Sequence, residues 1–112
     1  MAYTLPQGGL LELDPGMRLL TQPYWYDLQV DTFDVQVKLM PERILAGLNG
    51  GRIVKLFIFR RPSGFLNSIL GRAKCEATYE KGWVYLSEDP QVRTIVTRIL
   101  AAFGEPTTPP SA

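Results

Sequence analysis

Two runs of alternating apolar residues meet out of phase in this chain, and they constrain its fold more tightly than any other feature. Apolar side chains occupy positions 24, 26, 28 and 30, then 33, 35, 37 and 39. The parity slips between Val30 and Phe33. A two-residue turn at Asp31-Thr32 accounts for the slip, because residues flanking such a turn lie opposite each other and share a face. Val30 then faces Phe33, Leu28 faces Val35, Tyr26 faces Val37 and Tyr24 faces Leu39. Asp27, Gln29, Asp34, Gln36 and Lys38 line the other side. One long strand with a bulge is the alternative. Both arrangements are antiparallel β structure with one wet face.

The remaining elements follow from the same kind of pattern. Met1–Gly16 holds two Pro and three Gly around Leu10–Leu13, which predicts a flexible start with one edge strand and a turn at Asp14-Pro15-Gly16. Met17–Thr21 predicts a short strand. Pro41–Leu48 reads as a short helix stopped by Asn49-Gly50-Gly51. Arg52–Arg60 (RIVKLFIFR) is almost continuously apolar, the pattern of a central strand covered on both faces. In 62–72, Ser63 could cap one turn of helix that gathers Phe65, Leu66, Ile69 and Leu70.

Arg72–Glu80 alternates, with Ala73, Cys75, Ala77 and Tyr79 on one face and Arg72, Lys74, Glu76, Thr78 and Glu80 on the other. A Lys81-Gly82 turn leads into Trp83–Ser87. That turn places Val84 and Leu86 with the Tyr79 face and Trp83 and Tyr85 with the charged one. The last element is the clearest. Asp89 is an N-cap, Pro90 suits the first helical position, and Val92, Ile95, Val96, Ile99, Leu100 and Phe103 recur at helical spacing until Gly104.

The fold class expected is α+β: one domain, an antiparallel sheet of about five strands, open or strongly curved, packed by a C-terminal amphipathic helix in the order ββαβ(α)ββα. Residues 1–16 form a flexible N-terminal segment, 17–104 the domain and 105–112 a disordered tail. At 112 residues such a domain buries enough surface to fold without staples. One cysteine, Cys75, forms no internal disulfide, and its place on the apolar face predicts a buried thiol. No apolar run reaches membrane-spanning length and no leader pattern opens the chain, so a cytoplasmic location is expected.

Charge is unevenly distributed. Between Glu42 and Glu76 there is no acid, but there are Arg43, Arg52, Lys55, Arg60, Arg61, Arg72 and Lys74, a formal +7 inside a chain of net +1. One use for this window is an anion-binding surface. Arg60, Arg61, Arg72 and Lys74 bracket the 62–72 connection, and Trp83 and Tyr85 are expected on the same face as Arg72 and Lys74. Bases beside aromatic rings suit single-stranded nucleic acid. The bland alternative is that these bases pair with Asp27, Asp31 and Asp34 in the same molecule. Phe65, Leu66, Ile69 and Leu70 could form a partner patch, or simply close the core.

There is no histidine, which removes Ser-His-Asp and Cys-His nucleophile systems and His-ligated metals. The aspartates match no calcium loop and the glycines no phosphate loop. No catalytic residue, cofactor or metal is therefore assigned. The expected function is a non-enzymatic binding or assembly module acting through protein–protein contacts, as a homodimer or a subunit of a complex. The alternatives are a nucleic-acid-binding protein using residues 43–75 and a small-molecule or lipid carrier. A membrane partner is not expected.

Overall fold

The Asp31-Thr32 turn forms as the alternation requires. In a computed structural model that describes residues 2–6, 8–21, 25–62 and 73–108, strands β4 (Trp25–Val30) and β5 (Phe33–Leu39) pair antiparallel, with Val30 opposite Phe33, Leu28 opposite Val35 and Tyr26 opposite Val37. Asp31 takes a φ of 53°, a left-handed conformation that aspartate tolerates better than most residues. Tyr24, expected opposite Leu39, lies outside the described residues.

The other strands extend this hairpin in both directions. They are β3 (Met17–Thr21), β6 (Ile53–Arg60), β7 (Lys74–Glu80) and β8 (Trp83–Leu86). The six form one antiparallel sheet in the order β3-β4-β5-β6-β7-β8, so every strand pairs with its chain neighbours. A separate two-stranded ribbon joins β1 (Ala2–Thr4) to β2 (Leu10–Glu12). The class is α+β as expected, with eight strands in two sheets among the described residues rather than about five in one. The opening segment, expected as a flexible start, holds Leu11 fully buried in the core. Arg52 donates from Nη1 to the Gly8 carbonyl at 2.9 Å, which ties the ribbon's turn to the sheet.

Helix α1 (Pro90–Ala102) begins and ends where its capping residues indicate. Asp89 Oδ1 accepts from the Gln91 N–H at 2.9 Å, satisfying one of the orphan donors of the first turn. At the other end Gly104 adopts φ 67°, and the Glu105 N–H reaches back to the Leu100 carbonyl at 2.8 Å. The stripe of Val92, Ile95, Val96, Ile99, Leu100 and Phe103 is buried. It packs on the sheet face that carries Tyr26, Leu28, Phe33, Val35, Val37, Leu56 and Ile58, and the Tyr26 and Phe103 rings meet edge to face at 5.4 Å.

Three expectations change here. The helix predicted for Pro41–Leu48 does not form. The segment runs through bends and turns to a single 3-10 turn at Leu48–Gly50. The Ile44 N–H bonds instead to the Gly51 carbonyl at 3.1 Å, and the Leu45 side chain is wholly exposed. So short a segment recovers too few hydrogen bonds to offset helix nucleation. The second change is in the tail, where Glu105 is buried. Its Oε1 accepts from the Arg52 backbone N–H at 2.5 Å, and Asn49 Nδ2 donates to the Pro106 carbonyl at 3.0 Å. Glu105 and Pro106 are therefore tied to the segment between β5 and β6.

The third change comes from a bulge in β7. Ile58 lies opposite Ala77 but Phe59 lies opposite Cys75, so Glu76 is the extra residue. Beyond the bulge the alternation is inverted. Cys75 is exposed, not buried, and Glu76 sinks to 2% exposure.

Candidate functional site

Helix α1 and the β1–β2 ribbon cover one face of the sheet, which leaves the other as the candidate site. Residues directly opposite one another on paired strands share a face. Trp25, Lys38, Lys55 and Glu80 form one row across β4 to β7. Asp27, Gln36, Phe57, Thr78 and Tyr85 form the next, and Gln29, Asp34, Phe59 and Cys75 a third. Among the described residues no helix or strand packs over these rows. Trp25 is 37% exposed and Tyr85 48%, and Phe57 and Phe59 are half-buried. Among the described residues, the central strand β6, expected to be covered on both faces, has a helix or strand packed on one.

The Trp25 ring stacks on Phe57 with centroids 6.2 Å apart. Lys38 Nζ and Lys55 Nζ lie 5.8 and 5.9 Å from the Trp25 centroid, within cation–π range. The result is an aromatic knob with a positive collar. Further along the same face, Leu20, Asp27, Gln29, Asp34 and Gln36 line a groove of about 360 Å³ rich in acceptor oxygens.

The basic residues singled out from the sequence are used differently. Arg60 lies opposite Phe33 and turns to the covered side, where its guanidinium sits 4.6 Å over the Phe33 ring. Its Nη2 donates to Asp89 Oδ2 at 2.8 Å and to Glu76 Oε2 at 3.4 Å, and its Nη1 donates to Gln91 Oε1 at 3.3 Å. Arg60 thus ties β6 and β7 to the start of α1. Arg61 closes the β4–β5 turn: its Nη2 donates to the Asp31 carbonyl, its Nε to the Thr32 carbonyl at 3.4 Å, and it pairs with Asp34 at 3.6 Å. Lys74 is opposite Arg60, largely exposed, with Nζ 3.4 Å from Glu76 Oε1 but outside hydrogen-bond geometry. That oxygen is buried and, among the described residues, has no hydrogen-bond partner. Arg52 pairs with buried Glu105. Arg72, with Phe65, Leu66, Ile69 and Leu70 of the expected partner patch, lies outside the described residues.

Arg60, Arg61 and Lys74 therefore gather at one end of the sheet, but all three are paired with acids of the same molecule, Lys74 as the most exposed of them. Trp83 is not with them. A bulge in β8 sets Trp83 opposite Tyr79 instead of Glu80, and the two rings meet edge to face at 5.2 Å. Trp83 is thus on the helix side of the sheet, and only Tyr85 remains on the open face as expected. Tyr79 donates from Oη to the Ala46 carbonyl at 2.9 Å, and burial pushes its phenol up from the ordinary 10.0.

The acidic turn at Asp31 is also engaged. Arg98 donates from Nε and Nη2 to Asp14 at 2.8 and 2.7 Å, and from Nη1 to Asp31 Oδ2 at 2.6 Å. The hydrogen bond from Arg98 chiefly holds the Asp14 carboxyl below its usual range, and the Gly16 N–H, donating to Asp14 Oδ1 at 3.0 Å, adds to it. Gly16 leaves room for the pair, since a Cβ there would stand 2.4 Å from Asp31 Oδ1 and 2.6 Å from Arg98 Nη2.

The sequence reading missed Trp25, Phe57, Phe59, Lys38 and Lys55 as a group. The available signal was parity. Trp25 shares the wet side of its strand with Asp27 and Gln29, and Phe57 and Phe59 share the parity of Lys55. Among the described residues no three Asp, Glu or Cys side chains gather as they would around a metal ion, and no helix is long and apolar enough to cross a membrane.

A family model matches residues 24–104. The chain belongs to that family, described as a domain of unknown function (DUF7678). The matched span opens at the residue before β4 and ends at the Gly104 cap, so it contains every residue of the aromatic knob and leaves out β1, β2 and β3. No curated protein and no solved structure matches the chain.

Proposed function

We propose that this chain is a non-enzymatic binding or assembly module that works through protein–protein contacts, and that it assembles first with a second copy of itself. The observation that carries the proposal is the open sheet face. It presents a tryptophan knob with a lysine collar and, a few strand residues away, an acceptor-rich groove with Asp27 and Asp34 on its walls. A two-fold axis lying across the strands sets the knob of each copy over the groove of the other. Opposite charges and complementary shapes then meet twice, as an isologous interface requires. Aromatic rings are enriched in interface cores, and the charges around them suit a polar rim.

Sedimentation across micromolar concentrations tests this. The wild type should form a dimer, and Trp25→Glu should stay monomeric with an unchanged circular dichroism spectrum. A wild type that is monomeric at every concentration overturns the assembly.

A second reading is favoured by the Trp25–Phe57 stack between Lys38 and Lys55, a combination that also suits stacking of unpaired bases beside neutralised phosphates. It moves the nucleic-acid surface away from Arg60 and Arg61, whose guanidinium groups are already held. Anisotropy of a fluorescein-labelled single-stranded oligonucleotide is the test. Binding should weaken by about one log unit per log unit of salt for each phosphate neutralised, and a Lys38→Glu/Lys55→Glu variant should abolish it. The carrier reading draws no such support, since Tyr26, Phe33, Ile95, Ile99 and Phe103 fill the interval between sheet and helix.

A further inference from the structure

Strand β8 is hydrogen-bonded to β7 on one side and, among the described residues, has no strand on the other. Its four residues, Trp83-Val84-Tyr85-Leu86, carry no charge, and Val84 is 68% exposed. A free edge of this kind is a template for another extended chain unless charge or proline blocks it, and β8 contains neither.

Directly beneath this edge, between β8 and α1, runs a groove of about 260 Å³. Leu48, Trp83, Leu86, Val96 and Leu100 form its apolar walls, and Arg93 and Thr97 stand on the helix side. Trp83 is 41% exposed. Arg93 uses Nε to donate to the Ser87 carbonyl at 3.2 Å. Its two terminal amino groups meet no carboxylate among the described residues, although Arg52, Arg60, Arg61 and Arg98 all do. An edge that offers backbone hydrogen bonds, an apolar trough on one side of it and a single uncompensated cation therefore lie together.

We infer that this edge and trough bind an extended segment of a partner protein. The segment adds a strand to β8, places alternate apolar side chains in the trough and sets one acidic side chain against Arg93. Backbone pairing would supply affinity that is indifferent to sequence, and the trough and Arg93 would supply the selection. The inference extends the binding reading above to a second site on the opposite side of the sheet, and it does not depend on the Trp25 face forming a dimer.

The test is selection of random short peptides displayed on phage against the full chain, followed by anisotropy of the enriched peptides. The enriched sequences should alternate apolar and polar residues with one Asp or Glu at fixed spacing. Thr97→Trp fills the trough from the exposed side of α1 without altering β8. It should weaken binding by about tenfold or more, as loss of a buried anchor does, and Arg93→Glu should do the same. Trp25→Glu should leave peptide binding unchanged even if it abolishes dimerisation, so the two proposals fail separately. Absence of enrichment overturns the inference, as do enriched peptides that bind Thr97→Trp and Arg93→Glu as tightly as wild type. Self-association of the wild type that is lost in Thr97→Trp would give the edge to a second copy and overturn it too.

Discussion

On one face of the six-stranded sheet, Tyr26, Leu28, Phe33, Val35, Leu56 and Ile58 are shut away from solvent beneath α1. On the other, the same strands present Trp25, Phe57 and Phe59 between Lys38, Lys55, Asp27 and Asp34. Both faces are rich in aromatic rings, so hydrophobicity alone does not distinguish them. They differ in whether the rings are enclosed. The covered face behaves as a packed interior, where each lost atom leaves a void. The open face sets its rings among charged side chains and, at Trp25, partly in solvent, so removing that ring leaves no enclosed cavity. The covered face is therefore where stability should reside, and the open face where recognition should.

Tyr26→Ala breaks this comparison on the strong side. Its ring is fully buried against Phe103, and truncation should destabilise the fold by about 3–5 kcal/mol, read from urea unfolding. Arg60→Ala tests the junction between the sheet and the start of α1. It strips Glu76 of its remaining hydrogen bond and frees the Asp89 cap, with an expected loss of about 2 kcal/mol. Adding Glu76→Gln to Arg60→Ala should recover part of that loss, because the stranded buried charge is then gone. If the double variant is no better than the single one, the orphaned carboxylate is not the cause.

Trp25→Ala probes the open face. The stack on Phe57 contributes about 0.5–1 kcal/mol, so the melt should barely move while the sedimentation coefficient falls. A melt lowered as much as by Tyr26→Ala would show that this face, too, is part of the core. The smallest effect is expected at Asp14→Asn, below about 1 kcal/mol at neutral pH, because the pair with Arg98 is partly exposed. Its sign with pH is fixed. The Asp14 carboxyl is held below 3.8 in the fold, so its contribution is fully present well above that value and disappears as pH falls through the depressed value. Wild type and variant should differ at neutral pH and converge in acid, in thermal melts across that range.

The parts of the fold legible in the sequence are those where local chemistry and burial agree. The Asp89-Pro90 start and the Gly104 stop each follow from a residue type placed where its backbone preference is needed, and the Asp31-Thr32 hairpin follows from the slip in parity between Val30 and Phe33. The two hairpin faces follow from period two alone. The bulges were not legible. Nothing in Lys74–Glu80 marks Glu76 as the extra residue, since the group that meets its carboxylate in the interior, Arg60, comes from the neighbouring strand. A one-residue slip there inverted the predicted places of Cys75 and Glu76. A second slip, in β8, moved Trp83 to the other side. The candidate site was hidden for a related reason: an almost continuous apolar run in β6 reads as a doubly covered strand, whereas among the described residues no helix or strand packs over Phe57 and Phe59. The Pro41–Leu48 segment shows the opposite error, in which an acceptable local pattern was too short to hold its own hydrogen bonds.

Because each strand of the six-stranded sheet pairs only with its neighbours in the chain, the order of the sheet also has a kinetic meaning. No strand has to wait for a distant segment before it can dock, and such local pairing favours rapid folding that spreads outward from the β4–β5 turn. A slower closure falls at the connection 40–52, which separates β5 from β6. Closure entropy rises only with the logarithm of loop length, so doubling this connection would add about 0.6 kcal/mol. The sheet can therefore carry a longer insertion at the exposed Leu45 with little loss of stability.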